Sequence, residues 1–168
     1  TMRHLLHCLY TDQLHPDLFA AGHDEDEDSP APTQQERDLV ALYVAADRYL
    51  VDKAQTLVID ELEWLVGLQE DRTTVLPVFD LALTVAPELA ERACQDYIQV
   101  RASWLLSNED RVMEAQWLGL SEAAAARVIG MDLKEMAEIE VFRAIQRRYE
   151  HHLAEATEPR DDDESADD

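Results

Sequence analysis

Apolar residues recur at helical spacing along most of this chain. The clearest run spans residues 39–66. Leu39, Leu42, Tyr43, Ala46, Tyr49 and Leu50 form one stripe, and Ala54, Leu57, Val58, Leu62 and Leu65 form a second. The pattern predicts two helices joined by a very tight turn. Thr33 and Glu36 have the spacing of a capping box ahead of the first helix. Asp52 stands where the second would need an N-cap, and Gly67 falls just past its expected end.

The same reading extends to both sides. Residues 2–9 predict a short amphipathic helix, and residues 10–14 a short strand or extended step. Residues 16–34, which hold Gly22 and two prolines around Ala31, predict an acidic, disordered loop. Beyond Gly67, Thr73 or Thr74 can cap a helix that reaches about Ala86. Pro77 lies early in it, and its stripe is Val75, Leu76, Phe79, Ala82 and Leu83. Pro87 opens the next helix, with Leu89, Ala93, Cys94, Tyr97, Val100 and Trp104 inward. Ser107 or Asn108 begins another, carrying Val112, Met113 and Trp117 and ending at Gly119. Ser121 caps a short alanine-rich helix that ends at Gly130 and buries Val128 and Ile129. A last helix covers about residues 134–154, with Val141, Phe142, Ile145 and Tyr149 on its inner face. No repeat of fixed period is present, which argues against a solenoid.

Composition sharpens this picture. The chain has 168 residues, 46% of them hydrophobic, with only 4 Gly and 6 Pro. That supports a mainly α chain with a substantial core. Net charge is −23, concentrated in the run Asp24–Asp28 and in the tail after Pro159. Such charge repels phosphate, so no nucleic acid is expected as a partner. No apolar run approaches membrane-spanning length and the N-terminus lacks a signal-peptide layout, so no membrane partner is expected and the location expected is cytoplasmic and/or nuclear. Cys8 and Cys94 lie far apart within apolar stripes and read as reduced and buried.

Candidate chemistry is sparse. There is no glycine-rich phosphate loop, nucleophile elbow or Cys-x-x-Cys pair, so no enzyme, catalytic residue or cofactor is expected. The carboxylates lie in solvated runs where nothing raises a pKa for acid–base work. His4, His7 and Cys8 can share a helical face and touch a metal, but a fourth ligand is not evident, and no metal is assigned. His151 and His152 are expected to face solvent. Trp64, Trp104 and Trp117 read as packing residues, with a partner hot spot for one of them as the alternative.

Certain stretches resemble a known family. Ala46-Asp47-x-Tyr49-x-Val51 followed by an apolar helix resembles the helical hairpin late in BTB/POZ domains. Tyr10-Thr11-Asp12 resembles the helix-to-strand step before it. The family usually has Leu and Cys where this chain has Ala54 and Val58. Farther on, residues 75–98 resemble the first helical pair of a BACK domain, and Trp117-Leu118-Gly119-Leu120-Ser121 resembles its aromatic-Leu-x-Leu-Ser segment. Glu138 with Glu140-Val141-Phe142-Arg143-Ala144 resembles its closing motif. The family normally places Trp four residues after that alanine, where Arg148 stands here.

The resemblance implies a partial BTB/POZ domain at 1–67, interrupted by the acidic loop 16–34, then a BACK domain at 68–154 and a disordered acidic tail at 155–168. The first strands and helices of a BTB domain have no counterpart. The resemblance also implies protein–protein recognition: a substrate adaptor of a cullin-3 RING ubiquitin ligase complex, or a BTB-type scaffold or oligomerisation protein without ligase function. Its implied partners are cullin-3, an unknown substrate protein, and a second copy through the absent part of the BTB domain. The implied protein-binding residues are Tyr10, Thr11, Asp12, Val51, Leu57, Leu76 and Phe79.

Overall fold

The structure, a computed structural model, describes residues 1–19, 31–68, 74–134 and 136–157, without the side chains of residues 67 and 68. Among them the chain is mainly α and forms no strand. Its helices are α1 (Met2–Thr11), α2 (Gln34–Arg48), α3 (Asp52–Leu68), α4 (Val75–Val85), α5 (Pro87–Leu105), α6 (Arg111–Gly119), α7 (Glu122–Ile129) and α8 (Glu138–Thr157), with a 3-10 turn at Pro16–Leu18.

Two helical hairpins, α2–α3 and α4–α5, pack on each other through α2 against α4 and α3 against α5. The first helix, α1, lies across α2 and α3; α6 joins α5 to α8, and α7 rests on α4. Buried side chains form one continuous cluster that includes Leu5, Leu39, Leu62, Phe79, Ile98, Trp117 and Ala144. Apolar area leaving water drives this assembly at roughly 25 cal/mol per Å². The boundary expected at 67/68 adjoins residues outside the description, and the cluster runs across it without a break.

Helix ends follow local chemistry. The Thr33 hydroxyl accepts from the Glu36 amide (3.2 Å) while Glu36 Oε2 accepts from the Thr33 amide (2.7 Å), so the expected capping box forms. Ser121 caps α7 by accepting from the Ala124 amide (3.2 Å), as expected. Its hydroxyl also donates to Asp80 on α4 (2.6 Å), which fixes α7 against that helix. Pro87 opens α5 at a position where the missing N–H is harmless.

Several expectations are corrected. The step at residues 10–14 is not a strand: α1 continues through Thr11 and stops at Asp12 in the left-handed region (φ 60°), a conformation that Asp tolerates. Asp52 is the first residue of α3 rather than its cap, since the Ala54 and Gln55 amides reach back to the Val51 carbonyl. Gly67 lies inside α3. Asp110, not Ser107 or Asn108, caps α6, accepting from the Val112 and Met113 amides. Val100 is exposed, and the inner face of α5 passes instead through Ile98, Ala102 and Leu105.

The largest correction concerns α8. It begins at Glu138, and its inner face carries Ala144 and Arg148. Phe142, Ile145 and Tyr149 point outward, and Val141 is half-buried. The acidic loop is ordered at both ends: Leu18 is 1% exposed in the 3-10 turn, and α2 starts at Gln34. Residues 20–30 lie outside the described set, as does the tail from 158; residues 155–157 of the expected tail belong to α8.

Candidate functional site

The turn between α2 and α3 is built from backbone bonds. The Leu50 amide donates to the Asp47 carbonyl (3.1 Å) and the Val51 amide to the Ala46 carbonyl (2.8 Å). This is a Schellman end, in which the residue after the C-cap takes a left-handed conformation and is usually glycine. Here that residue is Leu50, at φ 55°. Its Cβ makes the conformation costly by about 1–2 kcal/mol. Nor does burial offset the cost, because Leu50 is 85% exposed. Neighbouring Tyr49 is also exposed.

The end of α1 is fastened beside this turn. Lys53 Nζ, in the first turn of α3, meets Asp12 Oδ1 at 2.6 Å. The Thr11 hydroxyl is used internally, donating to the His7 carbonyl (2.8 Å). Along α1, Leu5 and Cys8 point into the core while Met2, Leu6, Leu9 and Tyr10 lie on solvent, Tyr10 at 85% exposure. Thus Tyr10, Asp12 and the residues around Leu50 come to one end of the molecule, with an ion pair across them. Both charges of that pair are exposed, so it fixes geometry more than it stabilises.

Among the other expected binding residues, Val51 and Leu57 are half-buried and retain some surface. Leu76 and Phe79 are withdrawn from the candidate surface: both are 0% exposed within the core cluster and present nothing to a partner. Sequence reasoning missed Leu50 and Tyr49 as surface residues by reading them into an inner stripe. The available signal was the absence of glycine at a tight helix-to-helix turn.

A second exposed apolar stripe runs along α8 through Ile139, Phe142, Ile145, Tyr149 and Leu153. Trp64 on α3 is likewise more than half exposed, whereas Trp117 is fully buried and Trp104 half-buried. His151 and His152, expected on solvent, are partly exposed and face Glu155 (3.4 and 3.3 Å). A groove of about 550 Å³ lies between α4 and the Gly119–Ser121 corner. The carboxylate facing it, Asp80, is engaged by the Ser121 amide and hydroxyl.

Both cysteines are free thiols inside the fold. Burial, followed by the carboxylates of Glu36 and Glu63, pushes Cys94 up to about 12, which removes it from nucleophilic chemistry. Burial also raises the pKa of Glu61 from its ordinary value. No described helix is long and apolar enough to cross a membrane. No known protein family, curated protein or solved structure matches the chain.

Proposed function

We propose that the chain is a protein–protein recognition module that acts as a substrate adaptor of a cullin-3 ubiquitin ligase complex, in the manner of the BTB–BACK proteins its motifs resemble. The observation that carries the recognition role is Leu50. A large apolar side chain stands almost fully exposed, in a backbone conformation that favours glycine. Strained, exposed apolar residues tend to be kept where a partner uses them. Tyr10 and Leu9 lie at the end of α1 that the Asp12–Lys53 pair fastens to the start of α3. The cullin partner rests on the resemblance of residues 10–12 and 46–51, which belong to this same end.

The test is titration of the N-terminal region of cullin-3 against the purified chain. Binding is expected, and Tyr10→Ala and Leu50→Gly should each weaken it at least about tenfold, as loss of a hot-spot contact does. Unchanged affinity in both variants, or no binding, would overturn the cullin reading.

The alternative is a scaffold or oligomerisation module without ligase function. It is favoured by the α8 stripe, whose Phe142, Ile145 and Tyr149 repeat at spacings suited to helix–helix packing. Sedimentation at rising concentration distinguishes the two: self-association that Phe142→Glu abolishes supports the scaffold.

A further inference from the structure

We propose that the junction of α1 with the Pro16–Leu18 turn is a binding site for a divalent transition-metal ion of the zinc class, held by His4, His15 and Asp17. These residues each offer a ligand atom, and the three atoms lie within 4.8 Å of one another. His15 Nδ1 and Asp17 Oδ1 are 3.6 Å apart. Two donors sharing a tetrahedral zinc ion at ordinary bond lengths stand roughly 3.3–3.4 Å apart, so this pair is already near coordinating distance. His4 supplies the third donor of the set.

The surroundings are built rather than incidental. His15 is 9% exposed and caps the 3-10 turn, accepting from the Asp17 amide at Nδ1 (3.1 Å). That bond keeps the ring proton on Nε2 and engages the single Nδ1 lone pair, which a bound ion would take over from the Asp17 amide. Leu18, 1% exposed, anchors the turn against the core. Arg3 holds the other carboxylate oxygen, Oδ2, at 3.1 Å and so turns Oδ1 toward His15; outer partners of this kind orient metal ligands.

His7 stands one turn along α1 from His4, with its ring edge-on to His15 at 4.7 Å between centroids. The His4 ring is 5.2 Å from the same imidazole. Two imidazoles, His4 and His7, thus converge on the buried His15, an arrangement of rings that suits a bound cation. His7 or a water fills the fourth position.

Asp38 on α2 also acts on His4 electrostatically and adds negative charge to the site. The pair His4 and His7 is visible in sequence, but His15 and Asp17 join it only through the fold. Cys8, which shares the helix, points into the core and is not a ligand.

The test is titration of the folded chain with Co²⁺, followed with Zn²⁺ in competition. One equivalent is expected, with the visible absorption of a four-coordinate nitrogen–oxygen site and a rise in melting temperature. His4→Gln and Asp17→Asn should each weaken binding at least about tenfold. Asp17 is largely exposed, so Asp17→Asn tests the site even if a histidine variant misfolds. Several weak equivalents that persist in both variants would place the ions on the acidic runs and overturn the site. Absence of binding would do the same.

Discussion

The Arg148 guanidinium lies 5.6 Å from the centre of the Trp117 ring and closes the C-terminal end of the helix that carries this tryptophan. Its nitrogens donate to the carbonyls of Trp117 (2.6 Å), Leu118 (2.7 Å) and Leu120. In return Trp117 Nε1 donates to the Ala144 carbonyl on α8 (3.0 Å). Carbonyls left over at a helix end need partners, and one planar fork supplies them here. Arg148 is 8% exposed and the contact locks α8 onto α6.

Arg148→Ala should therefore destabilise the fold by about 2–4 kcal/mol, since three carbonyls, two of them in buried bonds, lose a charged donor. Arg148→Lys should recover little, because an ammonium cannot span three carbonyls as the fork does. Urea unfolding of both variants checks this. A lysine variant as stable as the wild type would show that charge alone suffices.

The stripe on α8 leads to the opposite expectation for Phe142. At 61% exposure it has little area to lose, so Phe142→Ala should change stability by less than about 1 kcal/mol. Trp117→Ala, in contrast, should cost about 3–5 kcal/mol, as removal of a buried aromatic does. Thermal melts of the two variants side by side suffice.

That contrast also shows what was legible in the sequence. Periodicity located the helices because core-facing residues such as Leu39, Leu62 and Phe79 are both apolar and inward. It misplaced the face of α8, where the stronger stripe is outward and the inner face is an alanine and an arginine. Apolar residues are not always inside, and only the carbonyls presented by α6 explain why an arginine is buried there. The end of α1 was misread for a related reason: Asp12 stops a helix by its left-handed backbone, and the same residue type suits a turn after a strand. Of the candidate surface, Tyr10 and Asp12 were legible. Leu50 was not, since apolar spacing cannot distinguish the last inward residue of a helix from the first residue past it.

Glu36 joins the two hairpins. Besides its capping box it accepts from the Thr74 hydroxyl at the start of α4, and it is 5% exposed. Glu36→Ala should lower stability by about 1–3 kcal/mol through the lost cap and the orphaned donors. Thr74→Val in the Glu36→Ala background should add little, and a double-mutant cycle measures that coupling.

Cys94 gives the fold an alkaline limit. Its thiol is raised from 9.0 to about 12 by burial and by nearby carboxylates. Between those values the unfolded chain has lost the proton that the folded chain keeps, so stability falls as pH rises through that window. Cys94→Ala should show a shallower loss of stability above pH 9, although it starts from a lower value because of the cavity. At pH 8, thiol reagents should label Cys94 only across the urea transition. Labelling of the native chain would place the thiol on an accessible path.

Leu50 separates backbone strain from packing most cleanly. Glycine at this position keeps the Schellman bonds from Leu50 and Val51 to α2, because both are backbone bonds. It also removes the Cβ that opposes φ 55°. No buried area is lost, as Leu50 is 85% exposed. Glycine's greater freedom in the unfolded chain offsets part of the gain. Leu50→Gly should therefore raise stability by about 0.5–1 kcal/mol, while Leu50→Ala, which keeps the Cβ and the strain, should leave it within about 0.5 kcal/mol. Chemical denaturation of the three chains measures the difference. A glycine variant less stable than the wild type would mean that the leucine side chain packs on the fold, and the strain would then no longer support the proposed recognition role.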